Sequence, residues 1–479
     1  MSDLPWTQLL VGFEWLVRLV MLPIIVLRKE QPTAALAWLA VIFFEPIIGL
    51  VLYLLIGESR LVRRRMKRRR RRHAEYAAGV APAVDPNYVV DPDRQGEHNI
   101  LIHLAEEVGG LPVVSGNRIE YLNDYDRAVD RLIADIDAAE HHVHLLFYIF
   151  ADDAVGRRVG EALIRAVQRG VACRVLADHV GSRRMFRRLA PLLRRHGVEV
   201  VPVMPVGFFQ LIFKRLDLRN HRKLAVIDGR IVFTGSQNIC EATFHSRERL
   251  GAWHEIMARI TGPVVPQFQD VFVEDWYHET QQRLESPALT PECPPSGSTP
   301  VQLVPTGPDL PTADFQDLVI KMLFLARQRI VITSPYFVPG EAMTLALRLA
   351  ARRGVRVDIV VPRRTEHPIV DAAGRFYLEL LCRAGVHVHV FEKGMLHSKA
   401  MTVDDDVAMF GSANYDIRSF MLNFELNLLL HAPAAVGDLL RLQELYVAQS
   451  RELTRDDWSR RAWTQRLLDN LAKLLSPLL

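Results

Sequence analysis

The sequence contains few cysteines and lacks the short motifs of several large enzyme classes. Its four cysteines, Cys173, Cys240, Cys293 and Cys382, show neither paired spacing nor a Cys-x-x-Cys motif. This scarcity argues against a disulfide framework and a zinc site, and it fits a reducing compartment. The sequence also has no glycine-rich phosphate loop, no Gly-x-Ser-x-Gly elbow and no His-Glu-x-x-His pattern. Its chemistry must therefore come from another arrangement of side chains.

A basic leader before the first apolar run is missing as well, since Met1-Ser2-Asp3 carries no lysine or arginine. This argues against a cleaved signal peptide. The runs Leu9–Leu27 and Ala34–Ile56 both reach the ~20 residues that cross a bilayer, so we predict a transmembrane helical hairpin. Glu14 and Arg18 can pair along one helix face, but both are costly at membrane depth. The alternative that Leu9–Leu27 lies in the membrane interface therefore stays open.

The basic character of the chain is local. The formal net charge of the chain is +4, and ten lysines and arginines lie between Arg60 and Arg72. The remainder of the chain is therefore net negative. A basic segment directly after an apolar run predicts that everything downstream is cytoplasmic, and it also attracts anionic lipid. The segment Arg183–Arg195 carries six further arginines in an amphipathic pattern. For this segment we favour a solvated basic face over contact with an anionic membrane.

The remainder of the chain alternates predicted strands and helices in two similar stretches. This alternation predicts an α/β fold with two pseudo-symmetric domains, each built on a mixed, mainly parallel sheet flanked by helices. Eight prolines between Ser286 and Pro311 predict a linker that separates the two domains. The predicted organisation is a membrane anchor at 1–59, a polybasic segment and linker at 60–110, a first domain at 111–285, the proline-rich linker at 286–311 and a second domain at 312–479.

One polar motif occurs twice at identical offsets, which is the organising feature of the sequence. Each copy lies in a strand-like apolar run, and six matching positions are too many for chance. The first copy comprises His221, Lys223, Asp228, Gly235, Ser236 and Asn238, and the second comprises His397, Lys399, Asp404, Gly411, Ser412 and Asn414.

The repeated motif suits the chemistry of a phosphodiester. A histidine two residues before a lysine on a strand places both side chains on one face, because successive residues alternate sides. The lysines with Asn238 and Asn414, next to Ser236 and Ser412, are predicted to bind the phosphate oxygens. One histidine attacks phosphorus and the other protonates the departing alkoxide. A metal cofactor is not required, because each histidine is accompanied by a cation that would repel the ion.

The acidic residues in and after the two motifs are candidates for structural and for orienting roles. Asp228 and Asp404 belong to the catalytic motif, yet each lies at a predicted turn, so a structural role is at least as well supported as chemistry. Glu255 and Glu425 follow the motif histidines of their own halves by 34 and 28 residues. We predict that each orients its own histidine through the far ring nitrogen, with Glu255 serving His221.

An apolar segment, Val206–Phe213, precedes the first motif and has no counterpart of equal length in the second half. The distance from Gly197 to His221 is 24 residues, whereas that from Gly385 to His397 is 12. The segment is either ordinary core or the place where acyl chains enter, and the sequence favours neither reading.

The paired motifs resemble those of the phospholipase D superfamily. Over nearly the whole chain the sequence is similar to the bacterial cardiolipin synthases in particular. The similar segments are Pro32–Trp38 with Pro46 and Gly57, Asn220–Lys223, Gly262–Pro263, Ser334–Pro339, His397–Lys399, Asn414–Ser419 and Leu475–Leu479.

The resemblance implies two phospholipase D-like domains that condense two phosphatidylglycerol molecules to cardiolipin and glycerol through a phosphatidyl-histidine. It implies an enzyme of the bacterial inner membrane, and family precedent favours His221 as the nucleophile and His397 as the acid and base. From the residues alone, the choice of histidine stays open, as do acyl preference, acceptor, regulation and whether the chain forms a homo-oligomer.

Three other functions compete with cardiolipin synthesis. The first is a phospholipase D-type hydrolase, in which water is the acceptor, or another phosphatidyltransferase. The second is a nuclease, which the membrane anchor and the scarcity of aromatics in the basic runs argue against. We therefore expect no nucleic-acid partner. The third is a lipid-binding scaffold with decayed sites, which the intact motifs disfavour.

Overall fold

The computed structural model describes residues 6–29, 32–57, 84–91, 96–206, 217–244, 250–308 and 314–474. Most of the polybasic segment and its linker, residues 207–213 of the apolar segment Val206–Phe213, and the ending Leu475–Leu479 lie outside the described residues. The chain divides into two compact units, one N-terminal and helical and the other α/β.

The N-terminal unit contains α1 (Trp6–Arg28), α2 (Pro32–Phe44) and α3 (Pro46–Leu52), followed by a π-helical turn at Tyr53–Gly57. Only α1, with 23 residues, is long and apolar enough to cross a membrane among the described helices. The predicted second run, Ala34–Ile56, is not one continuous helix.

The second run breaks at Glu45, which leaves helical geometry with ψ at 75° immediately before Pro46. A proline has no N–H to continue the hydrogen-bond ladder, and its ring disfavours the α conformation in the preceding residue. The second run therefore forms two shorter apolar helices, and its crossing of a membrane stays a prediction.

Arg18 of α1 makes polar contacts with both α1 and α2. Its guanidinium pairs with Glu14 (3.3 Å), which confirms the predicted pairing along one face of α1. Its Nε also donates to the backbone carbonyl of Phe43 (3.0 Å), just before the break between α2 and α3. Since an unbonded carbonyl is costly in lipid, Arg18 stabilises the broken end of α2.

The first half of the α/β unit supplies its strands and helices in alternation, as the sequence predicts. Its strands are β1 (Val113–Leu122), β2 (His142–Phe147), β3 (Ala172–Asp178), β4 (Glu199–Val203), β5 (Arg219–Asn220), β6 (Lys223–Ile227), β7 (Ile231–Gly235), β8 (Trp253–His254) and β9 (Met257–Thr261). Its helices are α4 (Asn99–Gly109), α5 (Tyr125–Asp137), α6 (Ala154–Gln168), α7 (Arg183–Arg195) and α8 (Val265–Thr280).

The second half repeats this plan. Its strands are β10 (Thr299–Thr306), β11 (Arg329–Thr333), β12 (Phe337–Val338), β13 (Arg356–Pro362), β14 (His387–Phe391), β15 (Met395–Leu396), β16 (Ala400–Val403), β17 (Val407–Gly411), β18 (Tyr415–Asp416), β19 (Asn423–Leu430) and β20 (Ser450–Leu453). Its helices are α9 (Asp314–Leu325), α10 (Gly340–Arg352), α11 (Pro368–Arg383), α12 (Ile417–Met421), α13 (Pro433–Ala448), α14 (Arg455–Ser459) and α15 (Trp463–Leu474).

Most strands of both halves join one sheet with the order β20-β14-β13-β11-β16-β17-β19-β10-β1-β9-β7-β6-β2-β3-β4, and β5 pairs with β19 beside this path. Two separate pairs are formed by β12 with β18 and by β8 with β15. The order on either side of the β10–β1 pair is nearly mirror-repeated, which gives the two halves their pseudo-symmetry. The mixed sheet is confirmed, but it is not mainly parallel. Parallel pairs join β2, β3 and β4 in one half and β11, β13 and β14 in the other, and the central pairs are antiparallel. The tight turns inside the motifs impose this, because a short hairpin can only join antiparallel strands.

Two segments predicted as linkers contain ordered elements. Strand β10 lies within Ser286–Pro311 and pairs with β1 on one side and β19 on the other. Helix α4 lies within the predicted linker at 60–110, and its Leu101 and Val108 are buried in the core of the second half. The proline count concealed β10, although Val301, Leu303 and Val304 form a strand-like apolar run that is fully buried.

The predicted amphipathic helix Arg183–Arg195 is confirmed. Met185, Leu189 and Leu193 face the core of the first half, and the arginines are exposed. This arrangement fits the solvated basic face that the sequence favours.

The motif aspartates lie at the end of their strands away from the histidines and act as turn anchors. The Asp228 carboxylate accepts the backbone N–H groups of residues 140, 141 and 142 at 2.7–2.9 Å. Asp404 accepts those of residues 327, 328 and 329 at 2.8–2.9 Å. Both residues adopt left-handed backbone conformations, with φ at 52° and 51°. Their assignment to the catalytic group is therefore corrected to a structural one, since each carboxylate is occupied by three backbone donors.

Replacement of either anchor is expected to destabilise the fold while sparing the chemistry. Asp228→Ala and Asp404→Ala each remove three charge-assisted hydrogen bonds and should cost roughly 2–4 kcal/mol of stability. Thermal unfolding of the purified protein should show a lower midpoint for both, with kcat within about threefold of wild type below that temperature. Asn at either position keeps the left-handed backbone preference and should lose less stability. Loss of kcat at unchanged stability would contradict the structural role.

Candidate active site

Each motif begins with a histidine just before a strand and a lysine at or near its start. The ammonium group of Lys223 donates to the carbonyl of His221 (2.6 Å), and that of Lys399 donates to the carbonyl of His397 (2.5 Å). Both lysines are almost completely buried. The bond from lysine to histidine carbonyl fixes each ammonium next to its imidazole, as the spacing of two residues predicts.

The histidines are held by backbone pairing across the two halves. Strand β5 pairs with β19 of the second half, and the N–H of His221 donates to the carbonyl of Phe424 (2.8 Å). Strand β15 pairs with β8 of the first half, and the N–H of His397 donates to the carbonyl of His254 (2.8 Å). Each histidine therefore lies directly beside the residue that precedes a glutamate of the other half.

The histidine–glutamate pairs are exchanged between the halves. Nδ1 of His221 lies 2.9 and 3.1 Å from the carboxylate oxygens of Glu425. Nδ1 of His397 lies 2.7 Å from Glu255. The two glutamates do contact the motif histidines, but the predicted partners are wrong, because β5 and β15 cross to the opposite half. With Nδ1 occupied in both rings, Nε2 is the nitrogen left for chemistry.

The two carboxylates have different surroundings. Glu425 accepts hydrogen bonds from Ser412 (2.6 Å), Ser419 (2.9 Å) and Asn423 (3.3 Å) in addition to His221. Burial alone would raise its pKa, but these donors and the adjacent cations lower it. Glu425 is therefore held as a carboxylate anion.

Glu255 has weaker support than Glu425. Its Oε2 is buried and has no hydrogen-bond partner among the described residues, although Oε1 contacts His397. Burial raises the pKa of Glu255 to about 7, against the opposing charge of Lys399. A proton can therefore be shared in the pair of Glu255 and His397 near neutral pH.

The motif glycines admit the strands that carry the glutamates. A Cβ on Gly235 would lie 2.4 Å from the carbonyl of Ile256, and one on Gly411 would lie 2.3 Å from that of Leu426. These carbonyls belong to the residues directly after Glu255 and Glu425. The close backbone approach predicted for the glycines is thus present, and it positions the carboxylates.

The motif serines bind protein groups. Ser412 donates to Glu425 (2.6 Å), whereas Ser236 donates to the carbonyl of Ile256 (3.2 Å) and both are fully buried. Each hydroxyl has one proton, and it is already used. These contacts support a role for Ser236 and Ser412 in holding the strands that bear the glutamates, and their predicted binding of phosphate stays a prediction.

The motif asparagines are buried at the site. Asn238 accepts the N–H of Ile149 through Oδ1 (3.0 Å), which turns its NH₂ group away from that bond. Asn414 is fixed through its backbone N–H to the hydroxyl of Ser419 (3.0 Å). Their predicted binding of phosphate oxygens remains a proposal.

Aromatic side chains that the sequence motif did not reveal enclose the histidines. The ring of Tyr148 lies 5.1 Å from that of His221, at an angle of 62°. Trp253 stacks on His397 at 4.4 Å, and Tyr336 lies 6.3 Å from the same ring. Tyr148 and Tyr336 follow β2 and β11, the strands that pair with the two motif strands. Their position after equivalent strands of the repeat is the signal that could have identified them.

A third carboxylate lies near His397. Glu366 accepts a hydrogen bond from the hydroxyl of Tyr336 (2.5 Å), and its negative charge opposes the lowering of the pKa of His397. No motif of the sequence predicts a role for Glu366, which lies in the loop between β13 and α11.

Burial sets the charge states of the site before substrate binds. It lowers the pKa of His221 to about 4 and that of His397 well below its usual value. The two motif lysines oppose the charges of Glu425 and Glu255, and Glu366 adds a third carboxylate beside His397. A phosphodiester anion adds one further negative charge, which favours protonation of one imidazole.

Comparison with known proteins identifies the family. The family model described as cardiolipin synthase, PLD-like domain, matches residues 132–276 and 319–444, and a phospholipase D-nuclease N-terminal model matches 16–58. The chain belongs to the phospholipase D-like cardiolipin synthase family. The two domain matches each contain one copy of the motif.

Whole-length relatives agree with this membership. The chain is 35% identical to cardiolipin synthase A of Pectobacterium carotovorum over 477 residues, which cover 98% of both proteins. It is 34% identical to cardiolipin synthase A of Yersinia pseudotuberculosis, covering 98% of this chain and 97% of the relative. Among solved structures, the phosphatidylserine synthase of Haemophilus influenzae matches with a TM-score of 0.60 at 15% identity, over 80% of this chain and 100% of the other. That structural likeness supports the fold alone.

The buried lysines predict an alkaline limit to activity. Burial lowers the pKa of Lys223 to about 7 and that of Lys399 to about 8. As the pH rises through these values, the free enzyme loses the cations that attract a phosphodiester. We expect kcat/KM, which reports the free enzyme, to fall with a midpoint between about pH 7 and 8. Initial rates in a constant-ionic-strength buffer series check this.

The value of kcat should change less over the same range, because a bound anion raises both lysine pKa values. Lys29→Gln, which removes a lysine from the N-terminal unit, serves as a control and should leave the pH profile unchanged. A flat kcat/KM profile between pH 6.5 and 9 would show that the lysines do not titrate in this range.

Proposed function

We propose that the chain is a membrane-anchored cardiolipin synthase that transfers a phosphatidyl group between two phosphatidylglycerol molecules. The observation that carries the proposal is the pair of exchanged histidine–glutamate contacts, each next to a buried lysine. Two imidazoles with free Nε2 atoms and two fixed cations suit one phosphodiester. The apolar helix α1, of span length, favours a lipid phosphodiester over a soluble one.

The first step forms a covalent intermediate. Nε2 of neutral His221 attacks the phosphorus of one phosphatidylglycerol, and the bond from phosphorus to the glycerol oxygen breaks. His397, protonated on Nε2, gives its proton to that oxygen, so that free glycerol leaves. Lys223 and Lys399, with the amide groups of Asn238 and Asn414, stabilise the charge on the non-bridging oxygens.

The second step transfers the phosphatidyl group. His397, now neutral, removes the proton from a glycerol hydroxyl of a second phosphatidylglycerol. The resulting oxygen attacks the phosphorus, and the bond to His221 Nε2 breaks to give cardiolipin. The imidazole of His397 regains a proton in this step, so the starting state is restored.

The unequal carboxylates support His221 as the nucleophile. A phosphorylated imidazole that keeps its Nδ1 proton is cationic, and Glu425 is fixed beside it as an anion. The pair of His397 and Glu255 is better suited to gain and lose a proton, since the pKa of Glu255 is raised to about 7. The two histidines thus take different roles in the same reaction.

The same proposal includes the cellular location. The positive-inside rule, applied to the basic run Arg60–Arg72, places the α/β unit on the cytoplasmic side of the bacterial inner membrane. That run also provides charge for an anionic lipid surface.

The function and the orientation are tested together in membrane vesicles that contain the protein. We expect inverted vesicles to convert ³²P-labelled phosphatidylglycerol to cardiolipin with release of glycerol. Protease added outside should abolish conversion in inverted vesicles, where the α/β unit faces outward, and spare it in right-side-out vesicles. Thin-layer chromatography measures the products. His221→Ala and His397→Ala should reduce the rate by about 10³-fold or more.

Release of phosphatidic acid in place of cardiolipin would identify a hydrolase. Digestion of single-stranded DNA by the purified protein, without lipid turnover, would identify a nuclease. The opposite protease sensitivity would reverse the orientation.

The two histidines can be separated by a substrate that needs no acid. Phosphatidyl-p-nitrophenol carries a leaving group that departs without protonation. We expect His397→Ala to release about one equivalent of p-nitrophenolate in a burst and to retain an acid-labile ³²P adduct. The adduct persists because the acceptor hydroxyl lacks its base.

His221→Ala should show neither burst nor adduct with the same substrate. Stopped-flow absorbance and trapping by acid quench measure both quantities. A burst in His221→Ala but not in His397→Ala would assign the nucleophile to the second motif.

A further inference from the structure

The C-terminal helix α15 presents its apolar side chains outward. Trp463 is 74% exposed and Leu474 is 68% exposed. Three further leucines of the same helix, about half exposed, extend this surface: Leu467, Leu468 and Leu471. The spacing of three, four and five residues places them on one continuous side of the helix. An exposed patch of this kind differs from the scattered apolar residues of ordinary protein surfaces.

The inward side of α15 carries a buried carboxylate together with the small Ala472, whereas the large apolar side chains are outward. Asp469 is only 1% exposed. Its carboxylate accepts hydrogen bonds from Arg375 (2.8 and 3.0 Å), Arg461 (2.6 Å) and Gln465 (3.1 Å). A helix on a water-facing surface ordinarily turns its large apolar residues inward. The arrangement of α15 indicates that its outward face is adapted to an apolar neighbour.

The position of α15 connects it to the active site. Ala472 packs with Val338, Ala373 and Tyr377 in one small cluster beneath the helix. Val338 lies two residues after Tyr336, whose ring contacts His397. Helix α11, which supports α15, begins two residues after Glu366. Helix α15 therefore packs against the two segments that lead to Tyr336 and Glu366 beside His397.

Charge and side-chain type indicate a lipid surface as the neighbour. Trp463 stands at the start of the apolar face, and tryptophan favours the boundary between headgroups and acyl chains. Arg460 precedes the helix and is exposed, and Lys473 lies near its end. Cations beside an apolar stripe complement an anionic bilayer.

We propose that α15 is an interfacial helix whose Trp463 and leucine face rests in the surface of an anionic bilayer and holds the entrance of the active site against lipid. The inference rests on the proposed lipid substrate and adds a second membrane contact to that of α1. Each exposed leucine that enters the interface gains apolar burial, whereas the buried Asp469 cluster fixes the helix to the protein.

Membrane contact is measured directly with the full-length protein in phosphatidylglycerol vesicles. An environment-sensitive fluorophore is attached at Leu468→Cys in a Cys293→Ser background, since the other three cysteines are buried. We expect blue-shifted emission and quenching by lipids brominated on the acyl chains. The matched control is Leu445→Cys, a similarly exposed leucine on α13, which should show neither effect.

A functional readout uses charge on the apolar face. Leu467→Glu with Leu471→Glu should raise the KM for phosphatidylglycerol in vesicles about tenfold, because burial in the interface is lost, and should leave kcat within about twofold. Turnover of a short-chain, water-soluble phosphatidylglycerol should be unchanged. Leu445→Glu should alter neither parameter.

Other occupants give different results. An unquenched label at 468 that shows concentration-dependent transfer between protein copies would replace the bilayer with a second chain. An unquenched label without such transfer would also overturn the proposal. Because quenching does not depend on catalysis, quenching at 468 without cardiolipin formation would contradict the proposed function and leave the interfacial helix intact.

Discussion

The exchange of carboxylates between the two halves is the constraint on which the site depends. Each imidazole is oriented by a glutamate of the opposite half, and each is held there by a two-residue strand that crosses over. Nδ1 of each ring is thereby fixed, so Nε2 of each can serve the phosphodiester. The large sheet, the motif glycines and the buried lysines all place these four side chains within reach of one another.

Burial determines the charge states of the site. Its ammonium groups and carboxylates lie together in a low-dielectric interior, where uncompensated charge is costly. Burial favours the neutral imidazoles, and the negative charge of a phosphodiester favours their protonation. Aromatic rings of Tyr148, Trp253 and Tyr336 contact the two histidines.

Much of the site is readable from the sequence, because the repeat marks His221, Lys223 and their counterparts by offset alone. The sequence also predicts the two glutamates, as acidic residues that follow each motif. It does not predict their exchange between the halves, because β5 and β15 have only two residues each and leave no periodic signal. Tyr336 lies in Ser334–Pro339, which belongs to the family resemblance but carries no predicted role, and Glu366 lies in a loop that no motif of this chain marks.

The fold was predictable where local patterns are strong and less so where they compete. Strand–helix alternation identified the outer parts of both halves, but the central strands are antiparallel because the motif turns are hairpins. Prolines concealed β10, which is a strand in the middle of the sheet. Pro46 also competes with a strong local pattern, because it divides the second apolar run into two helices at Glu45.

The two halves belong to one polypeptide and meet where β10 pairs with β1. This arrangement has an evolutionary consequence. Two identical halves brought together by symmetry would have given both histidines the same carboxylate surroundings. Once one polypeptide carried both halves, a substitution near Glu425 was no longer accompanied by the same substitution near Glu255.

 

Joining both halves in one chain thus released the two sites from symmetry, and the hydrogen bonds from Ser412 and Ser419 to Glu425 mark where the surroundings of the two carboxylates now differ.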